Sequence, residues 1–430
     1  MASYMRLLFI SNYFPPEVNA PATRLYEHAR QWVADGHQVE VITSVPNFPE
    51  GEIYEGYENR YQEETVDGIP VMRVPMYVAE NKWVLKRTLS YLSFMLTSIW
   101  YSRRVRQRPD IVVATSPQFF AALGGYFIAR LKRVPFVMEV RDLWPESIVA
   151  VGAVKRNLII RVFEWLEAFL YRHSDHIVVV TDAFKDYIVG KGISGEKVSV
   201  LKNGFDMTAL TKPLDEIELG LMRQQFGLQG KFVASYIGTI GMAHGVEIMM
   251  EAAQRCPDPD VVFMVVGTGA EREKLEARQA ELNLSNVRLI PKQPKEKVPY
   301  LLALSDVSVV HLKASPLFKT VIPSKIFEAM AMRKPIVLGV EGEARAIIEE
   351  AEAGIPITPE HADELVQAVC ALKSDQTLYS YLAENGFAYV NQYHDRRKLA
   401  RRFWAILESV VNPGIVCEDT PEVVSLAEAA

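Results

Sequence analysis

Cysteine is scarce. Three residues in 430 (Cys256, Cys370 and Cys417) stand too far apart for a disulfide framework and show no metal-ligand spacing. That pattern fits a reducing compartment, with no metal and no cofactor expected. Positive charge is not in excess either: the net charge of −6 argues against a general nucleic-acid binder, because phosphate backbones demand a basic footprint. Long apolar runs are short of what a membrane span needs around Thr88–Ser102, which is uncharged for 15 residues where roughly 20 are required. The N-terminus has too short an apolar region for a signal peptide and runs straight into a strand, so Met1 to Tyr4 read as a remnant ahead of a native start at Met5.

What is present is a globular composition, 49% apolar and 23% charged, over a length that suits two domains. Apolar runs of buried parallel-strand type stand at 7–10, 39–42, 71–74, 110–114, 135–140 and 176–181, with helices expected over 22–35, 119–132 and 158–171. The loop after the first strand carries Asn19 and Arg24 at the position where open α/β sheets place ligands. Both also read as a turn residue and a surface charge. Arg141, Asp142 and Glu146, beside Trp144, follow the strand at 135–140 in the same kind of place. Asp142 alternatively caps a helix or pairs with Arg141.

Residues 82–108 form an apolar helix bracketed by Lys82, Lys86, Arg87, Arg103, Arg104, Arg106 and Arg108, with Trp83, Trp100 and Tyr101 at its flanks. Basic and aromatic flanks suit an element lying in a membrane interface; the alternative is a core helix with a solvated basic end. A strand from 198 then meets the turn Asn203-Gly204, and the polar segment 206–229 reads as a linker plus a short helix at the domain boundary.

The second half restarts the alternation. A strand at 231–237 leads to Gly238-Thr-Ile-Gly-Met-Ala-His-Gly245 and a helix from Val246; a strand at 261–266 leads to Gly267-Thr-Gly269 and a helix over 271–282. Glycine loops between strand and helix cradle phosphate because bare backbone approaches closely. Neither loop has the third glycine and acidic partner of a dinucleotide fingerprint, and neither is a Walker A loop. Strands at 287–290, 307–310 and 336–338 complete a parallel sheet. Helices over 362–372, 376–392 and 394–411 follow, and the acidic tail 412–430 is expected to be disordered.

One stretch, residues 317–335, combines several anion-binding features. Pro323-Ser324 opens a helix whose first amides and dipole favour an anion, Lys325 adds a full charge, and Glu328 lies one turn further on as an acceptor for sugar hydroxyls. Taken alone it also reads as a capped surface helix with a Lys325–Glu328 pair.

The succession Lys202-Asn-Gly-Phe-Asp206, Gly238-Thr-Ile-Gly241, His244-Gly245, Val265-Val-Gly-Thr-Gly269 and Pro323-Ser-Lys-Ile-Phe-Glu-Ala-Met-Ala331 resembles the retaining GT-B glycosyltransferases of family GT4, over residues 5 to about 410. Asn12-Tyr-Phe-Pro-Pro16, Arg141-Asp-Leu-Trp-Pro-Glu-Ser147 and Pro323-Ser-Lys-Ile-Phe-Glu328 look like its WbuB-like branch, fucosamine-type aminosugar transferases of O-antigen and capsule synthesis. The resemblance implies two Rossmann-like α/β domains facing across a cleft. They are an acceptor domain over 1–206 and a nucleotide-sugar domain over 207–393, with a helix over 394–411 returning to the first. It puts the ribose on Glu328, the diphosphate at Pro323, Ser324 and the Gly238 loop, and the base near Gly267, Gly269 and Lys292.

The chain departs from that pattern in three places. Thr239 and His244 stand where the family has arginine and lysine, Thr320 stands where it has the first of two glutamates, and Arg141 replaces a histidine that contacts the transferred sugar. Lys325 is the expected substitute for the lost charge beside the leaving diphosphate. The combined reading gives Lys325, Glu328, Arg141 and Asp142 the catalytic work and makes Gly238, Thr239, Gly241, His244, Gly267, Gly269, Lys292, Thr320, Pro323 and Ser324 the donor site. Asn19, Arg24 and Asp142 become the acceptor site. A UDP-sugar donor and a polyprenyl-diphosphate-linked acceptor at the cytoplasmic face of the inner membrane are expected. The rivals are a non-hydrolysing UDP-sugar epimerase, a degenerate UDP-binding protein and, weakest, a nicotinamide dehydrogenase.

Overall fold

A computed structural model describes residues 5–48, 50–79, 84–116, 119–146, 157–210 and 213–414. Lys82, Trp83, Ser147, Cys417, Met1 to Tyr4 and the tail beyond Gly414 lie outside the described residues. The chain divides into two units: residues up to Lys202 together with the stretch from Arg396, and Asn203 to Asp395.

The first unit is built on β1 (Arg6–Ile10), α1 (Ala20–Ala34), β2 (Gln38–Ser44), β3 (Gln62–Val66), β4 (Ile69–Val74), α2 (Val84–Tyr101), β5 (Ile111–Thr115), α3 (Phe119–Lys132), β6 (Phe136–Val140), α4 (Leu158–His173), β7 (His176–Val179), α5 (Asp182–Gly190) and β8 (Val198–Val200). The sheet order is β3-β4-β2-β1-β5-β6-β7-β8, parallel except for β3. Sequence periodicity missed β3, though its signal is present. Asp67-Gly68, both at positive φ (48° and 81°), is the tight turn that closes an antiparallel hairpin onto β4.

One face of this sheet is covered by α2, α3 and α4 over a core with Phe94 and Phe136; the other is covered by α1 and the last helix, α14 (Arg396–Val411). Trp32 and Phe403 meet edge to face at 5.5 Å, and the Trp32 indole donates to the Ala400 carbonyl at 2.7 Å. The final helix therefore belongs to the first unit.

The second unit carries α6 (Glu216–Gln225), β9 (Phe232–Ile237), α7 (Ile248–Arg255), β10 (Val261–Val266), α8 (Arg272–Glu281), β11 (Val287–Ile290), α9 (Val298–Leu304), β12 (Val307–His311), α10 (Lys325–Ala331), β13 (Ile336–Gly339), α11 (Glu343–Glu350), β14 (Gly354–Pro356), α12 (Ala362–Ser374) and α13 (Gln376–Tyr393). Its sheet is parallel, ordered β11-β10-β9-β12-β13-β14, the doubly wound arrangement. The helix expected from Val246 begins at Ile248, because Gly245 and Val246 accept from Ile248 and Met249 in tight turns first.

The Asn203-Gly204 turn is a joint between two passes of chain. Phe205 N–H donates to His394 C=O at 2.9 Å, and the His394 ring bonds the Asn203 carbonyl at 2.8 Å while stacking on Phe327 at 4.3 Å.

Candidate functional site

In the second unit the strand order reverses between β9 and β12, and the loops leaving their carboxyl ends flank a crevice of the kind that takes ligands in open sheets. The two glycine loops meet there, but their glycines answer first to one another. A Cβ on Gly267 (φ 150°) would fall 1.9 Å from the Gly238 carbonyl oxygen, and one on Gly269 (φ 154°) would fall 2.2 Å from that of Ile240. The backbones are laced by Gly238 N–H to Val266 C=O (2.8 Å) and Ile240 N–H to Thr268 C=O (2.9 Å). The bareness of Gly267 and Gly269, read from the sequence as donor-site glycines, serves this loop–loop contact. The amides of Thr239 and Gly241 make no bond among the described residues and remain as donors.

Lys325 lies against this loop. Its ammonium sits 3.7 Å from the centre of the Tyr236 ring and would lie 2.8 Å from a Cβ on Gly238. Crowding by protein atoms pulls its pKa down to about 7, with Glu328 pulling the other way. Tyr236 is itself anchored, donating to the Thr239 carbonyl at 2.7 Å. The cation thus reaches the Gly238 loop from the start of α10, close enough to His244 to act on its charge. His244 is held near pKa 4 by burial and by Lys325, so it adds no charge at neutral pH.

Ser324 differs from expectation. It occupies the N-cap, but its φ of −58° and ψ of −20° are already helical and its hydroxyl makes no cap bond. The turn is closed instead by Ile326 N–H to Pro323 C=O and Phe327 N–H to Ser324 C=O. Thr320 spends its hydroxyl on the Leu317 carbonyl at 2.7 Å, within its own turn. Lys292 is exposed just beyond β11.

His311, which the strand assignment 307–310 left out, is the buried post of this site. Its ring fills the space where Gly245 and Gly339 lack a side chain, with a Cβ on Gly339 falling 2.4 Å from Cδ2. Its Nε2 accepts from Glu360 N–H (2.8 Å), so Nδ1 carries the proton and donates to His244 C=O (2.8 Å). Burial lowers its pKa and keeps it neutral. Arg272 plays a similar part behind the second loop, donating to the carbonyls of Gly267 (2.6 Å) and Ile290 (2.8 Å).

In the first unit the reversal lies between β1 and β5. Arg24, read as an acceptor contact on a loop, is instead a buried structural cation: Nε meets Glu139 Oε1 at 2.8 Å, and Nη2 donates to Leu201 C=O at 3.2 Å. Glu139 stays below the usual carboxylate range because Arg24 and Arg141 outweigh the burial that pushes it up. A glutamate inside the apolar run Phe136-Val-Met-Glu-Val140 was the available signal, since buried carboxylates are paired. Arg141 follows at the strand end, brought down to about 10 by burial, its Nε without a partner.

Asn19 caps α1, its Oδ1 accepting from Ala22 N–H at 2.9 Å, which leaves its buried Nδ2 without a hydrogen-bond partner. The Asn12 Oδ1 and Ser116 Oγ at the same strand ends are likewise buried without one. Such groups cost free energy unless a ligand or water completes them. Asp142 lies close enough to favour the charge on Arg141.

Residues 19–204 match the glycosyl transferase 4-like domain, and residues 221–389 match glycosyl transferases group 1. WcaI of Escherichia coli (strain K12), named for a glycosyl transferase of colanic acid biosynthesis, is 26% identical over 343 residues, 78% of this chain and 84% of its own. A second Escherichia coli relative, named as UDP-Gal:alpha-D-GlcNAc-diphosphoundecaprenol alpha-1,3-galactosyltransferase, is 25% identical over 68% of this chain and 74% of its own. Among solved structures, Anabaena Alr3699/HepE in complex with UDP and glucose superposes with a TM-score of 0.71 at 20% identity, over 94% of this chain and all of that one.

Proposed function

The chain belongs to the GT-B glycosyltransferases, and on that premise we propose that it moves a sugar from a UDP-sugar to a polyprenyl-diphosphate-linked saccharide, with retention of anomeric configuration. The donor sugar in this reading is an N-acetylated 6-deoxy-aminosugar such as N-acetylfucosamine, the product a surface polysaccharide precursor, and the site of action the cytoplasmic face of the inner membrane. The observation that carries the reading is the Lys325 ammonium held against Gly238 and Tyr236 beside the unbonded amides of Thr239 and Gly241.

As the bond from the sugar to the diphosphate breaks, charge builds on the leaving oxygen. Donors already aimed there stabilise the transition state more than the ground state. Glu328 holds the ribose hydroxyls, and Arg141 and Asp142 orient the sugar or the acceptor. No carboxylate is assigned as a covalent nucleophile. Support for the donor and acceptor classes comes from one relative whose name includes a UDP-sugar and a diphosphoundecaprenol acceptor, and from a solved neighbour carrying UDP.

The test pairs calorimetry with turnover. Glu328→Ala is expected to weaken UDP binding about tenfold, or about 1.4 kcal/mol, while the fold stays intact. Unchanged affinity would remove the ribose role. Conversion of UDP-sugar without any acceptor would replace transfer with epimerisation.

A further inference from the structure

Among the described residues, nine of the sixteen large hydrophobic side chains left exposed lie on α2, α3 and α4, the three helices that cover one face of the first unit's sheet. They form outward stripes at helical spacing, such as Leu89, Leu96 and Trp100 on α2. Leu158, Ile159 and Trp165 on α4 are 76%, 64% and 62% exposed, more than a folded surface offers to water without reason. The middle helix joins its neighbours closely. A Cβ on Gly124 would meet Ser98 Oγ of α2 at 3.2 Å, and Phe120 of α3 meets Phe163 of α4 edge to face at 6.2 Å.

Charge on this face is mostly positive, with the half-exposed Glu164 of α4 the exception among the described residues of these three helices. Neither α2 nor α3 contains an Asp or Glu, and each ends or begins with exposed basic residues. On α4 the two carboxylates are Glu164 and Glu167, and Glu167 turns inward to Tyr171 and Lys191. The Arg103 guanidinium lies 4.6 Å over the exposed Trp100 ring, an apolar body with a cationic head. None of the described helices is long and apolar enough to cross a membrane.

We infer that the outer faces of α2, α3 and α4 together form one docking surface for an anionic lipid bilayer, with α4 contributing as much as α2. Apolar stripes enter the headgroup boundary and the basic residues meet lipid phosphate, the two signals that together give stable interfacial binding. The inference rests on the proposed lipid-linked acceptor, which a chain held at the surface meets without leaving it.

Full-length protein is sedimented with vesicles of phosphatidylethanolamine and phosphatidylglycerol, and with vesicles of phosphatidylcholine alone. The expected result is salt-sensitive pelleting with the anionic vesicles. The combined variant Leu158→Ser, Ile159→Ser and Trp165→Ser should lower partitioning about tenfold or more, with unchanged thermal melting and UDP binding. Pelleting of that variant like the parent overturns the inference. So does a parent protein that stays in the supernatant and runs as a dimer which the variant breaks, since a second copy then covers the face. Pelleting of the parent without transfer to any lipid-linked acceptor leaves the surface standing and removes the transferase reading. Transfer in detergent without pelleting does the reverse.

Discussion

At the end of β6 the first unit buries a complete ion pair, Arg24 on Glu139, whereas beside the end of β9 the second unit holds one ammonium, Lys325, against bare backbone and an aromatic ring. The second site sits where its sheet reverses strand order, and the first lies one strand beyond the reversal of its own. Their charges do different work. In the first unit opposite charges satisfy each other at the strand ends, and Arg141 Nε and three further buried polar atoms are left without a hydrogen-bond partner. In the second unit the frame is made from glycine contacts, a neutral imidazole and the Arg272 guanidinium tied to the Gly267 and Ile290 carbonyls behind the second loop, and Lys325 is left against the Gly238 loop.

The comparison is most directly broken from the first unit. Arg24→Met leaves Glu139 buried without its partner and should cost about 3–5 kcal/mol in thermal or denaturant unfolding. The double variant with Glu139→Met should recover most of it. A loss below about 1 kcal/mol would mean that the pair is not what holds these strand ends.

In the second unit the vulnerable element is a glycine. Gly267→Ala forces a positive φ that a side chain rarely adopts and drives Cβ into the Gly238 carbonyl, so a loss of about 3 kcal/mol, with UDP binding lost as well, is expected. Full stability in that variant would show that the two loops can part.

The gentlest test concerns Lys325 alone. With a pKa of about 7 in the free protein, it is largely neutral at pH 8, and an arriving diphosphate raises that pKa. UDP binding at pH 8 should therefore take up close to one proton, and at pH 6 almost none. Calorimetry in buffers of different ionisation enthalpy reads this, and Lys325→Met should abolish the uptake. The same shift has a sign for stability. Between pH 7 and 10.5 the unfolded chain keeps the proton that the folded chain has lost, so the contribution of this group rises with pH. Equal uptake in the parent and the variant would move the cation of this site elsewhere.

Much of the fold could be read from the chain because buried parallel strands are short apolar runs, and all seven strands expected in the first half appear within a few residues of their places. Strands that carry less apolar signal, β3 and β14, did not announce themselves. The site was legible as a set of residues but less so in their roles. Arg24 looks like any loop arginine until its partner 115 residues away arrives on the neighbouring strand ends. Ser324 carries a capping residue's chemistry without a capping residue's backbone. His311 was lost at a strand boundary, where one residue decides between the end of a hydrophobic run and the post of a site.

That post has a consequence for how such a site can vary. Because His311, Gly245, Gly267, Gly269 and Gly339 fix the cradle by shape and neutral hydrogen bonds, its outline does not depend on which wall supplies the positive charge. A cation supplied from the helix after β12, as Lys325 is here, asks nothing of that frame. The charge is a movable fitting and the backbone is the fixture, so in chains of this design a missing cation at one address is a reason to search the opposite wall.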